Sequence, residues 1–142
     1  MTPPRARFGG IDVISKDFMK SVEFYRALGV DIPDDKIWSN DDGPQHLDLK
    51  LVDDGKFGVG FDIDSESLTA GYSPNWNANA GCMLSFRVDS SDDVDALHDH
   101  MVGLGYESHL APWDAFWGAR FAIVVDPDGN HVSLMGPMKD QT

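Results

Sequence analysis

A pattern of one amphipathic helix followed by three short strand-like segments runs twice along this chain, and any fold must satisfy both copies. The first helix is "DFMKSVEFYRALG", with Phe18, Val22, Tyr25 and Leu28 at helical spacing, Asp17 as the N-cap and Gly29 as the stop. Just before it, "RFGGIDVIS" reads as a strand whose glycines suit close backbone approach. After it come "DKIWS", "QHLDLKLV" and "FGVGFDI". The second copy opens with the strand "CMLSFRVD" and the helix "SSDDVDALHDHMVGLG", whose apolar stripe is Val94, Leu97, Met101 and Leu104. Ser90 or Ser91 caps this helix, Asp92 and Asp93 sit where its dipole favours negative charge, and Gly105 ends it. The strands "YESHLAPW", "GARFAIVVD" and "HVSLMG" follow. The order β-α-β-β-β, twice, predicts a divergent internal duplication.

Within a single domain over residues 1–142, the first module is predicted at 7–64 and the second at 82–137. The segment between them, 65–81, belongs to "DSESLTAGYSPNWNANAG" and reads as a linker or loop, rich in Ser, Asn, Gly and Ala. It is long for a structureless connection, which suits a segment covering a site or a partner subunit.

With 42% hydrophobic and 11% aromatic residues, 142 residues suffice for one sizeable core. The lone Cys82 allows neither an intramolecular disulfide nor a Cys-based zinc site, and fits a reducing cytoplasm. "MTPPRARFGG" has no apolar run behind its arginines, so no signal peptide is expected, and nothing approaches the roughly 20 apolar residues of a membrane helix. A net charge of -13 and a pI near 4.4 argue against nucleic acid, whose phosphates need clustered Lys and Arg. An acidic surface suits solubility or attraction of cationic ligands.

The stretches "KDFMKSVEFYRALG", "FRVDSSDDVDALHDHMVGLG" and "FWGARFAIVVDPDGNHVSLM" resemble the vicinal oxygen chelate superfamily of glyoxalase I, bleomycin-resistance proteins, fosfomycin-resistance enzymes and extradiol dioxygenases. The likeness runs from about Phe8 to Pro137, and the terminal motif is its most specific part. It implies an α+β fold of two βαβββ modules whose curled mixed sheets enclose a cleft, and a homodimer. In metal-dependent members one ligand stands on the first strand of each module and one on the last. Those positions fall here on Gly10, Met83 and Ser133, and the fourth lands near Phe61 or Asp62. Glycine offers no donor, a thioether is soft, and a neutral hydroxyl is weak, so the resemblance implies no standard metal site here.

A displaced divalent-metal site of Asp12, Asp62 and His131 is the alternative, because Asp12 shares a strand face with Gly10 and His131 with Ser133. His98 and His100, off the helix stripe, read as solvated surface residues, and His46 and His109 as edge or loop residues. Cys82, beside Met83, reads as an isolated buried thiol, and no nucleophile with a base, P-loop or dinucleotide fingerprint is found.

Trp38, Trp76, Trp113, Phe116 and Trp117 lie in loops or strand ends, where aromatic side chains wall ligand pockets or interfaces. With abundant acid they suit a flat aromatic or cationic guest. Arg120 is expected to pair with a carboxylate in the sheet or, failing that, to meet an anionic ligand group. The resulting expectation is a cytoplasmic, cofactor-free small-molecule-binding protein, without nucleic-acid or membrane partners, whose site includes these residues with His131 and Ser133. A metal-dependent lyase, isomerase or dioxygenase is the runner-up, and a dimeric interaction scaffold the third reading.

Overall fold

In the computed structural model, which describes residues 10–53, 58–71, 83–116 and 118–139, the twofold β-α-β-β-β pattern becomes two four-stranded mixed sheets. The first contains β1 (Gly10–Ser15), β2 (Ile37–Asn40), β3 (Gly43–Asp53) and β4 (Gly58–Ser65) in the order β1-β4-β3-β2. The second repeats that order with β5 (Leu84–Arg87), β6 (Glu107–Asp114), β7 (Arg120–Val125) and β8 (His131–Met135), as β5-β8-β7-β6. In each sheet the first and last strands of the module pair in parallel and the other pairings are antiparallel. This is the α+β architecture expected from the sequence.

Helix α1 (Phe18–Leu28) forms where expected: Asp17 Oδ1 accepts the Lys20 amide at 3.3 Å, and Gly29 leaves the helix at φ +107°. Helix α3 (Ser91–Gly103) is capped by Ser90, whose side chain accepts the Asp93 amide at 3.1 Å. Between the modules, the segment expected to be a linker or loop instead begins with helix α2 (Glu66–Ala70). Ser65 caps it by accepting from Leu68, and Thr69 bonds back to the Ser65 carbonyl at 2.8 Å, so local side-chain bonds outweigh a composition that reads as loop. Trp76, Cys82 and Trp117 lie outside the described residues.

The chain divides into two compact units, and α1 is shared between them: residues through Val22 belong to the first and Glu23–Val30 to the second. In the first unit, strand alternation sends Val13, Leu47, Leu49, Phe61 and Ile63 to a buried face. Burying a large aliphatic or aromatic side chain contributes about 1.5–3 kcal/mol, so these five residues fix the register of β1, β3 and β4. Ser15 and Ser21, both fully buried, satisfy each other through a 2.6 Å hydroxyl contact.

In the second unit, Ala122, Val124, Val132 and Leu134 form one buried face of β7 and β8, and Val94 and Met101 of α3 are buried as the stripe requires. Phe24 meets Tyr25 and Tyr106 edge to face, with centroids 4.9 and 4.8 Å apart. Two expectations for α3 fail. Leu104 is exposed, while His98, expected at the surface, is 7% exposed and joined through Nε2 to Ser108 Oγ at 2.7 Å. His98 takes the stripe position one turn before Met101, and its ring is tolerated there because Ser108 satisfies it. His100 is exposed as expected.

Candidate functional site

The alternation that buries one face of the first sheet lines up polar side chains on the other. Cross-strand register sets three rows there: Gly10, Gly60 and Lys50; then Asp12, Asp62 and Asp48; then Ile14, Asp64, His46 and Trp38. A pocket of about 440 Å³ lies over the first two rows, lined by Gly10, Ile11, Asp12, Asp48, Lys50, Gly60 and Asp62.

The floor of the pocket is bare by necessity. A Cβ at Gly10 would drive into the Gly60 carbonyl oxygen, and Gly10 sits at φ +139°, so no side chain fits there without moving β1. Over Gly60, an added Cβ would meet Asp62 Oδ1 at 3.4 Å and Asp48 Oδ1 at 3.5 Å; both carboxylates therefore reach across the glycine. Asp62 Oδ1 is fully buried yet has no hydrogen-bond partner among the described residues. Such an acceptor is costly unless a donor or cation arrives.

Two carboxyl groups of the row, Asp12 and Asp62, hold protons unusually well. Partial burial, then the hydrogen bond and charge of Asp64 and the charge of Asp62, raise the Asp12 carboxyl to about 8. Partial burial, then the hydrogen bond and charge of Asp48, raise Asp62 to about 7; His46 opposes this and Asp64 adds to it. Crowded carboxylates resist joint ionisation, so near neutral pH the row shares protons. A cation seated among them would take the protons' place.

One row away, the buried Asp64 carboxylate is hydrogen-bonded to His46 Nδ1. Beside them Trp38 is 50% exposed. Asp48, Lys50 and Asp64 were not singled out from the sequence, and His46, expected at an edge or in a loop, stands on the inner strand β3. Their signal was present in the alternating "HLDLK" and "FDID", which set acid against acid once the two strands pair antiparallel.

The second unit distributes its expected site residues differently. Arg120 makes a structural pair, chiefly with helix α3 and not within the sheet as expected: Nε and Nη2 donate to Asp95 Oδ1 at 3.1 and 3.0 Å, and Nη1 lies 3.4 Å from Asp114 Oδ1 of β6. The Asp95 hydrogen bond raises the guanidinium above its ordinary value, so the side chain is held as a cation. Ser133, 2% exposed, donates to Ser85 Oγ at 3.2 Å. His131 stacks on His109, with centroids 4.1 Å apart. Trp113 is partly exposed, and Phe116 is 91% exposed.

The four positions at which the resemblance places metal ligands do not fit a metal. Gly10 excludes any side chain, Met83 is an exposed thioether, and the Ser133 hydroxyl is engaged by Ser85. At the fourth position Phe61 faces the core, which leaves Asp62 as the one carboxylate. As for the displaced set, Asp12 and Asp62 are cross-strand neighbours in the first unit, whereas His131 is in the second. Among the described residues, no three His, Cys, Asp or Glu side chains form a group that could hold a metal ion.

Comparison with known proteins gives a family-model match over residues 7–134, to the Glyoxalase/Bleomycin resistance protein/Dioxygenase superfamily. No curated protein sequence matches. Similar solved structures include a hypothetical protein from S. aureus, 20% identical with TM-score 0.69, covering 96% of each chain. A glyoxalase-related enzyme from Fulvimarina pelagi is 16% identical with TM-score 0.73, over 92% of this chain and 88% of that one. Lactoylglutathione lyase from Agrobacterium tumefaciens is 17% identical with TM-score 0.61, over 99% of this chain and 100% of that one. At these identities the likeness carries the fold alone.

Proposed function

We propose, from the premise that the chain belongs to the Glyoxalase/Bleomycin resistance protein/Dioxygenase superfamily, that it is a small-molecule-binding protein whose first unit captures a cationic ligand without a metal. The observation that carries this reading is the row Asp12, Asp62 and Asp48 in a pocket of about 440 Å³, with Asp62 Oδ1 buried and unpaired. That volume is in the range of small-molecule sites. An ammonium or amidinium group supplies the donors and the positive charge that the row lacks, and Trp38 on the neighbouring row provides a flat surface nearby.

Lys50 lines the same pocket and limits the count of positive charges the ligand can bring. The aromatic residues of the second unit, Trp113 and Phe116, are not needed for this reading. The proposal includes a homodimer, the state its resemblance implies, which sedimentation equilibrium tests directly, and a cytoplasmic location, which the lone Cys82 suits.

The test is tryptophan fluorescence titrated with benzamidinium and with linear diamines, on the native protein and on Asp62→Asn. Saturable quenching that Asp62→Asn abolishes supports the reading. A flat response across the panel contradicts it. Metal analysis of protein purified without chelator is the companion measurement: a stoichiometric divalent ion lost in Asp62→Asn would replace the organic cation with a metal.

A further inference from the structure

We infer that His46 and Asp64 form a general-base dyad, with His46 Nε2 as proton acceptor, acting on a carbon acid whose cationic group is seated by the neighbouring carboxylate row. The substrate class rests on the cation-binding reading above; the dyad itself does not.

The geometry is that of an oriented base. Asp64 is 5% exposed and reaches His46 Nδ1 across the β3–β4 pairing. A carboxylate acceptor on Nδ1 selects the Nδ1–H form, so in the neutral ring the lone pair is on Nε2. Asp64 is held from a second side by its hydrogen bond with Asp12. The His46 side chain is 36% exposed, and Nε2 has no partner among the described residues. His98 shows what a structural histidine looks like in this protein: it is buried, with Nε2 on Ser108 and Nδ1 near Asp99. At His46 the buried carboxylate fixes one nitrogen and the other is left open.

Such a dyad performs proton transfer that needs no oxidant. Nε2 takes a proton from a carbon beside an electron-withdrawing group; the N–H bond forms as the C–H bond breaks, and the electron pair stays on the substrate as an enolate. Asp64 stabilises the imidazolium, which then returns the proton to carbon or to oxygen. Asp12, which holds a proton near neutral pH, lies on the far side of Asp64 and keeps that carboxylate in place.

The dyad is tested with nitrobenzisoxazole, a neutral carbon acid that needs no carboxylate row. Base removes its ring C–H proton, the C–H electrons form the nitrile, the N–O bond breaks, and a coloured cyano-nitrophenolate is released. The native protein is expected to exceed free imidazole at equal concentration by about a hundredfold, the lower end for a positioned base. His46→Gln is expected to remove that excess while His131→Gln keeps it. Asp64→Asn is expected to lower kcat with KM unchanged and to shift the ring to the Nε2–H tautomer, read from its nitrogen chemical shifts. Benzamidinium titrated into the same native protein separates the two readings: the excess rate without benzamidinium binding upholds the dyad and contradicts the cation site, and binding without the excess rate overturns the dyad alone.

A native rate no greater than that of imidazole overturns the inference, as does a His46→Gln protein of native melting temperature that keeps the excess. The native ring gives a check that needs no variant: the Nδ1–H tautomer is expected, and an Nε2–H tautomer overturns the dyad.

Discussion

Tyr25 Oη donates a 2.8 Å hydrogen bond to Asp126 Oδ2, joining α1 to the turn before the last strand across 101 residues of sequence. Asp126 is nearly saturated, since its carboxylate also accepts from the amides of Asp128 and Asn130 and from Asn130 Nδ2. Pro127 and Gly129, the latter at φ +86°, complete the turn. That turn delivers β8 in register against β7.

Removing this junction is expected to destabilise the second unit and leave the pocket of the first intact. Hydrogen bonds to charged groups contribute about 1.5–3 kcal/mol, so Tyr25→Phe is expected to cost roughly that much and Asp126→Ala more. Urea denaturation measures both. Burial, then the Asp126 charge, pushes the Tyr25 phenol far above its usual range, so its ultraviolet titration is expected only on unfolding.

Gly10→Ala is expected to destabilise by about 1–3 kcal/mol, because a side chain there meets backbone and not a flexible neighbour. Gly43→Ala makes a useful contrast. Gly43 is also at positive φ, but its added Cβ meets nothing, so backbone strain is its only cost. A larger loss at Gly10 than at Gly43 in thermal melts supports the Gly10–Gly60 contact.

Stability is expected to fall as pH rises from about 5 to about 9. The Asp12 and Asp62 carboxyls, raised in the folded protein from 3.8 to about 8 and about 7, bind protons that the unfolded chain has released. Their contribution is fully present below the unfolded value and lost as pH passes the folded ones. Asp62→Asn cannot ionise, and is expected to flatten the profile of melting temperature against pH.

Arg120→Ala is expected to lower the melting temperature and leave benzamidinium affinity unchanged, since the guanidinium is committed to Asp95 and Asp114. Arg120→Lys is expected to recover little, because one ammonium cannot reproduce the two-nitrogen contact with Asp95. Binding that weakens in Arg120→Ala would give the residue a part in ligand capture.

The duplicated element order, α1 with its stripe and the Ser90 cap were legible because each rests on local spacing. Arg120 was also readable as a structural pair. The short helix α2 was missed because its Ser65 cap lies inside a run whose composition suggests loop. The carboxylate row could not be seen strand by strand: Asp48 and Asp62 oppose each other only through the β3–β4 register, and β1 reaches β4 from across the module. His98 and His46 were misjudged for the same reason, since their partners Ser108 and Asp64 are set by tertiary contact.

The most direct measurement is calorimetric titration of benzamidinium into the native protein and into Asp62→Asn, at about pH 6 and about pH 9, in two buffers of different ionisation enthalpy. The expected result is saturable binding to the native protein that strengthens with pH, releases protons at the lower pH, and disappears in Asp62→Asn. Binding that is independent of pH and survives the substitution would contradict a carboxylate row as the seat of the ligand.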